Sequence, residues 1–197
     1  MKNWLFYPLS ALVIVLMISY ALSFSTVSEP VDPNIYELSS DSLTELFPSP
    51  GTTVQLANDT NGAVAYAVLT GQLNRENAPP SAGVFGTLGP VHEKNFAGAP
   101  IRITIRARQG QFDPSEAFEA AYFTSGAGDS GWQRFQLSPD FADYSFVFTP
   151  GVNDEKASTD FIGIWPDPSG RKLTLDLLSI RVEKIVDALP HSPQSGN

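Results

Sequence analysis

Leu5 to Phe24 is an almost unbroken apolar run without charge, and the chain beyond it changes to short alternations of apolar and polar positions. A run of about 20 apolar residues is what one helix needs to cross the hydrocarbon core of a bilayer. The pattern predicts a transmembrane anchor over residues 1–24, with Trp4 and Tyr7 at one headgroup level and Tyr20 and Phe24 at the other. Pro8 marks its first turn. Lys2 is the one basic residue before the run, and none follows until Arg75. This places the N-terminus in the cytoplasm, the span in the cell inner membrane and the rest in the periplasm or outside the cell. A cleaved signal peptide ending near Ala21-Leu22-Ser23 is the competing reading. The run exceeds the roughly 7–15 apolar residues of such a segment, which favours a retained anchor.

Residues 25–33 read as a juxtamembrane linker, since Glu29-Pro30 and Asp32-Pro33 keep the backbone extended. Ser42-Leu43-Thr44-Glu45 fits a capping box and predicts one helical turn before Pro48. Strand patterns follow at Thr52–Ala57, Ala63–Gln72 and Gly83–Leu88. The clearest lies in Pro100–Arg108, where Ile101, Ile103, Ile105 and Ala107 alternate with Arg102, Thr104, Arg106 and Arg108. Such a strand has one face buried and one wet. Ala117–Ser125 reads as a strand, although Asp113-Pro114 is also a helix-start signal. Trp132–Leu137, Asp143–Thr149 and Asp160–Trp165 complete the middle, and Pro166 to Gly170 makes a tight turn. In the last strand the apolar phase moves from Leu173, Leu175 and Leu177 to Leu178, Ile180 and Val182, which predicts a β-bulge or a bend. Residues 188–197 are polar and predict a disordered tail. About nine short strands with turns every 8–12 residues define residues 34–187 as an all-β, antiparallel, jelly-roll-like β-sandwich.

Composition narrows the function classes. The formal net charge of −9 disfavours a nucleic-acid partner, because the phosphate backbone requires clustered Lys and Arg. The absence of cysteine removes disulfides, thiol catalysis and thiolate metal sites together. With His92 and His191 as the two histidines, a histidine metal site or a Ser-His-Asp triad is hard to assemble. The carboxylate pairs Asp140/Asp143 and Asp154/Glu155 lie in Pro- and Gly-flanked loops, where Asp mainly supports turns. Gly126 to Gly131 matches G-x-G-x-x-G, but a strand pattern follows it instead of a helix, so it reads as a hairpin loop. No enzyme is expected.

Two surfaces carry candidate binding chemistry. Trp132, Trp165, Tyr122 and Phe123 form either an aromatic platform for sugar rings or part of the core, and large aromatics favour the core. Arg102, Arg106 and Arg108 form a basic stripe that docks an acidic partner, lipid headgroups or an anionic polysaccharide, or else pairs with acids on neighbouring strands.

Three segments of the second half resemble the carbohydrate-binding modules of the galactose-binding-like superfamily. They are Ser130-Gly131-Trp132-Gln133-Arg134-Phe135, Tyr144-Ser145-Phe146-Val147-Phe148, and Asp160-Phe161-Ile162-Gly163-Ile164-Trp165 followed by Leu173-Thr174-Leu175-Asp176. The resemblance spans roughly residues 83–186 and departs at the entry strand, where Asn34-Ile35-Tyr36-Glu37 replaces the usual Asn-Gly-Phe-Glu. It implies a sandwich fold, sugar binding, and a structural calcium with Asp176 at the matching position. Taken with the anchor, the sequence supports a non-catalytic accessory subunit of an integral membrane protein complex, photosynthetic or respiratory, held in the lipid bilayer. The alternative is a membrane-tethered carbohydrate-binding module for cell-wall or exported polysaccharide.

Overall fold

The computed structural model describes residues 12–14, 17, 31–79, 82–152 and 159–185. The chain divides into two units, Met1–Asp32 and Pro33–Asn197. In the first, Leu12, Val13, Ile14 and Met17 are helical and exposed. Among the described residues no helix is long and apolar enough to cross a membrane. The expected interfacial rings Trp4, Tyr7, Tyr20 and Phe24, most of the linker, and the tail 188–197 lie outside the described residues.

The second unit is built from strands β1 (Ile35–Ser39), β2 (Phe47–Pro48), β3 (Thr52–Asn58), β4 (Val64–Gly71), β5 (Val84–Thr87), β6 (Ile101–Gln109), β7 (Ala117–Thr124), β8 (Gly128–Asp129), β9 (Gln133–Gln136), β10 (Ala142–Phe148), β11 (Phe161–Trp165) and β12 (Thr174–Lys184). They form two antiparallel sheets. Sheet A runs β10-β6-β12-β4-β3, with β1 on the second half of β12. Sheet B runs β2-β5-β11-β7-β8, with β9 on the first half of β7. The inner faces supply one core. From sheet A come Leu69, Ile101, Ile103, Ile105, Leu177 and Ile180, and from sheet B come Val84, Phe118, Tyr122, Ile162 and Ile164. Many short strands crossing between two sheets give the jelly-roll-like sandwich the alternation predicts.

β12 carries the predicted irregularity. Its pairing with β6 skips Leu178, between Leu177 and Ser179, so Leu175 and Leu177 before it and Ile180 and Val182 after it all reach the core. The extra residue absorbs the apolar phase slip.

Three local expectations change. The first helical turn is a 3₁₀ segment, Ser40–Glu45, capped by Ser39 instead of Ser42. The Ser42 hydroxyl accepts from the Ser39 amide at 2.8 Å and so closes the box one turn earlier. Asp41 fixes that phase by accepting from the Val64 amide at 3.1 Å, and Leu43 is fully buried. Asp113-Pro114 starts no helix: Pro114 bridges Thr174 at the start of β12. A helix the pattern does not predict, α1 (Pro90–Phe96), links β5 to β6 with Pro at its first turn and buries His92 and Phe96. Its seven residues are too short for a periodic signal.

Candidate functional site

The outer face of sheet B is aromatic. Successive residues on a strand point to opposite faces, so Phe161, Gly163 and Trp165 of β11 face outward with Phe85 of β5 and Glu119, Ala121 and Phe123 of β7. Phe85 meets Phe161 edge-on at 5.1 Å, Phe161 stacks on Phe123 at 4.8 Å, and Phe123 meets Trp132 edge-on at 5.6 Å. Phe47 opposes Phe85 across the β2–β5 ladder and is 67% exposed, so the track opens to solvent at that edge. Gly163 lies in the middle of the track. A Cβ there would stand 3.1 Å from both the Phe123 and Phe85 rings and 3.2 Å from that of Trp132. Absence of that atom lets three rings lie against the sheet.

Beyond Trp132 the track ends at a cleft of ≈ 560 Å³ lined by Asn74, Arg75, Glu76, Glu119, Trp132 and Arg134, with Pro168 and Ser169 at its edge. Two loops shape it. The Arg75 amide donates to the Pro168 carbonyl at 3.2 Å, and the Asn74 side chain caps the Arg75–Asn77 turn through the Glu76 amide at 2.9 Å. Gly170, at φ +71°, lets the loops touch, because a Cβ there would lie 2.3 Å from the Asn74 nitrogen. Asp167 holds the second loop, accepting from the amides of Ser169 at 3.0 Å and Leu173 at 3.1 Å.

Arg75 organises the cleft floor. Its guanidinium lies 4.4 Å from the Trp132 ring centroid and 5.5 Å from that of Trp165. Its Nη1 donates to the Pro79 carbonyl at 3.3 Å. Burial lowers its pKa and the nearby Glu119 carboxylate opposes that shift. Glu119 sits between two arginines, 3.8 Å from Arg75 and 3.6 Å from Arg134. The cleft thus offers a ring beside guanidinium donors and carboxylate and amide acceptors. That combination suits a ligand with an apolar ring face and a hydroxylated rim.

Of the residues singled out from sequence, Trp132 is half-buried at this cleft. Trp165 faces the same way but is fully buried beneath Arg75, its indole N–H donating to the Asp167 carbonyl at 3.0 Å. Tyr122 is fully buried on the inner face, donating to Asp160 at 2.8 Å, with burial raising its pKa. Burial therefore takes both out of any platform that a ligand could reach, and Phe123, also buried at 8% exposure, backs the track behind Phe161 and Trp132. The arginine stripe lies on the outer face of the other sheet and pairs with acids: Arg102 with Glu183 at 3.3 Å, Arg106 with Asp143 at 3.7 Å and Arg108 with Asp176 at 2.9 Å. Asp176 is 1% exposed, and Arg108 packs over Phe141 at 4.5 Å and Tyr66 at 5.4 Å. A guanidinium on the carboxylate, with no further acidic ligands gathered there among the described residues, does not fit a calcium site at Asp176. Asp154, Glu155 and His191 lie outside the described residues.

Sequence reading misses Arg75, Glu119, Arg134, Phe85 and Phe161. Phe85 and Phe161 were open to the alternation argument. They share one face with Gly163, while Val84, Ile162 and Ile164 take the other.

No protein-family model and no curated protein matches the chain. Solved structures do. The CBM22-1–CBM22-2 tandem domain of Paenibacillus barcinonensis Xyn10C is 10% identical, over 80% of this chain and 48% of that one, with a TM-score of 0.52. The CBM22-1 xylan-binding domain of the same protein is 12% identical, over 80% of this chain and 100% of that one, at a TM-score of 0.49. A family 35 carbohydrate binding module from Clostridium thermocellum is 12% identical, over 76% and 98%, at 0.44. The first likeness shows a fold shared with carbohydrate-binding modules.

Proposed function

We propose that this chain is a non-catalytic carbohydrate-binding module, tethered to a membrane by its N-terminal apolar segment, which holds cell-wall or exported polysaccharide. The observation that carries this reading is the aromatic track on the outer face of sheet B, running from exposed Phe47 to Trp132 and ending at a cleft of hydrogen-bonding groups. Aromatic faces bury the apolar side of a sugar ring, and Arg75, Glu119, Asn74 and Arg134 are placed for its hydroxyls. The fold shared with the tandem CBM22 domain supports the same reading. Glu119, the cleft acid on sheet B, is engaged by two arginines, which suits a binding role and not proton transfer. No observation among the described residues favours the accessory-subunit reading over this one.

The test is affinity electrophoresis of the full chain, in mild detergent, through gels containing a panel of soluble plant and bacterial polysaccharides. Retardation by at least one polysaccharide, lost in Trp132→Ala, is expected. Unretarded migration in every gel would overturn the proposal.

A further inference from the structure

Strand β3 leaves one edge of sheet A open. It is the terminal strand, paired with β4 on one side. The Gln72 amide donates to the Gly51 carbonyl at 2.7 Å, just before the ladder begins, and this fixes the ladder's phase. Because pairs alternate, Thr53, Gln55 and Ala57 bond to β4, while Thr52, Val54 and Leu56 turn their N–H and C=O groups outward. The Thr52 amide finds the Ser49 carbonyl at 3.0 Å. Among the described residues no hydrogen bond reaches the outward groups of Val54 and Leu56.

Native sheets blunt such edges with charge, proline, brevity or a covering element. The other edges here follow that rule. β10 carries Asp143, β2 is two residues long and contains Pro48, β8 is two residues long, and β9 carries Arg134. α1 covers β1, where His92 meets the Ile35 carbonyl at 3.0 Å. β3 has neither charge nor proline over its seven residues, and Leu56 is 40% exposed.

The edge is also complementary to itself. Laid antiparallel on a second β3 with Gln55 on a two-fold axis, it sets Val54 opposite Leu56 and Thr53 opposite Ala57. Val54 and Leu56, whose backbone groups point outward, then form the hydrogen-bonded pairs, with both apolar side chains on the core side. The two Gln55 amides meet on the outer face, where each can donate and accept. A pairing of this kind is isologous and closes at two chains.

We propose that β3 is a homodimer interface, through which two copies of this chain join their A sheets antiparallel about Gln55. The axis of such a seam stands perpendicular to the sheet, so both copies carry sheet B on the same side. β2 leads into β3 through Ser49 to Gly51, so the exposed Phe47 ends of the two aromatic tracks turn toward each other. Only that consequence rests on the sugar reading; the seam itself stands apart from it.

The test uses the full chain in mild detergent. The chain has no cysteine, so one introduced thiol reports one place. In a non-hydrogen-bonded antiparallel pair the Cα atoms lie about 4.5 Å apart, within reach of a disulfide. Gln55→Cys is expected to give a disulfide-linked dimer under mild oxidation, and Ser145→Cys, exposed on β10, is expected to stay single. Light scattering should give the wild type twice the mass of one chain. Leu56→Lys should raise the dissociation constant at least about tenfold while keeping the wild-type circular dichroism. Gln55→Lys, which brings like charges face to face on the axis, should act in the same direction. A wild type that keeps the mass of one chain up to about 100 µM overturns the proposal and leaves the edge to a strand of another protein. It is equally overturned if Ser145→Cys cross-links as readily as Gln55→Cys, or if both lysine variants dimerise like the wild type.

Discussion

Gly163 is the residue on which the aromatic face depends. Three rings crowd the space where its Cβ would be, so Gly163→Val must push Phe85, Phe123 or Trp132 off the sheet. Overpacking of this kind costs about 1–3 kcal/mol, and the variant should unfold at lower urea and lose its glycan retardation together. Asp176 and Arg108 make a shielded pair, so Asp176→Ala leaves a guanidinium between two rings without its counter-ion. Because Arg108 is 22% exposed, the loss should fall below the 3–5 kcal/mol of a fully buried pair, at about 1–3 kcal/mol by chemical denaturation. Tyr36 donates to the Thr87 carbonyl at 3.0 Å, and burial, then the Glu45 carboxylate, raises its pKa. An acid raised by folding stabilises fully below its unfolded pKa, about 10 for tyrosine, and loses that contribution as pH climbs further. Urea unfolding between about pH 8 and 11 should therefore show stability falling at the alkaline end, with a shallower fall in Tyr36→Phe. At this scale the sequence was half legible. Trp132 shows itself by opening a strand after a glycine loop. Tyr122 and Phe123 were grouped by chemistry, yet neighbours on a strand face opposite ways, and alternation alone puts Tyr122 with the core. Arg75 was not legible, because its place comes from a contact between loops nearly a hundred residues apart, at Pro168.

Elements were the most readable level, because burial on one face writes a period into the chain. β6 is the clearest case: Ile101, Ile103 and Ile105 are all at 0% exposure, as their alternation predicts. Ile103→Ala at its centre should cost about 2–5 kcal/mol by urea unfolding, with no effect on sugar binding, since β6 lies in the other sheet. The bulge in β12 was visible as a slip of apolar phase, and Leu178 is the residue that makes it. A regular ladder that paired Leu178 would turn Ile180 and Val182 outward, whereas deleting Leu178 would leave both facing the core. Helix α1 and the two-residue strands β2 and β8 stayed invisible, since pieces so short carry no period of their own.

The molecule has two outer faces of different chemistry. Sheet A presents ion pairs, among them Arg102–Glu183 and Arg181–Glu37, while sheet B presents the aromatic track and cleft. Sequence could not tell which aromatics would meet, because β11 gains its neighbours β5 and β7 only when the two-sheet topology is complete. Chain direction adds a second fact: Pro33 lies beside Asn95 of α1, whereas the cleft is at the other end of β11, past Trp165. The central claim is that sugar binds the outer face of sheet B. Its most direct test is titration calorimetry of the full chain with the polysaccharide that retards it, comparing Trp132→Ala with the double variant Arg102→Ala/Arg106→Ala on sheet A. The account predicts that Trp132→Ala weakens binding at least about 30-fold, the ~2 kcal/mol of a hot-spot aromatic, and that the sheet A variant binds like the wild type. Full affinity in Trp132→Ala with loss in the arginine variant would contradict it and move the site to the opposite sheet.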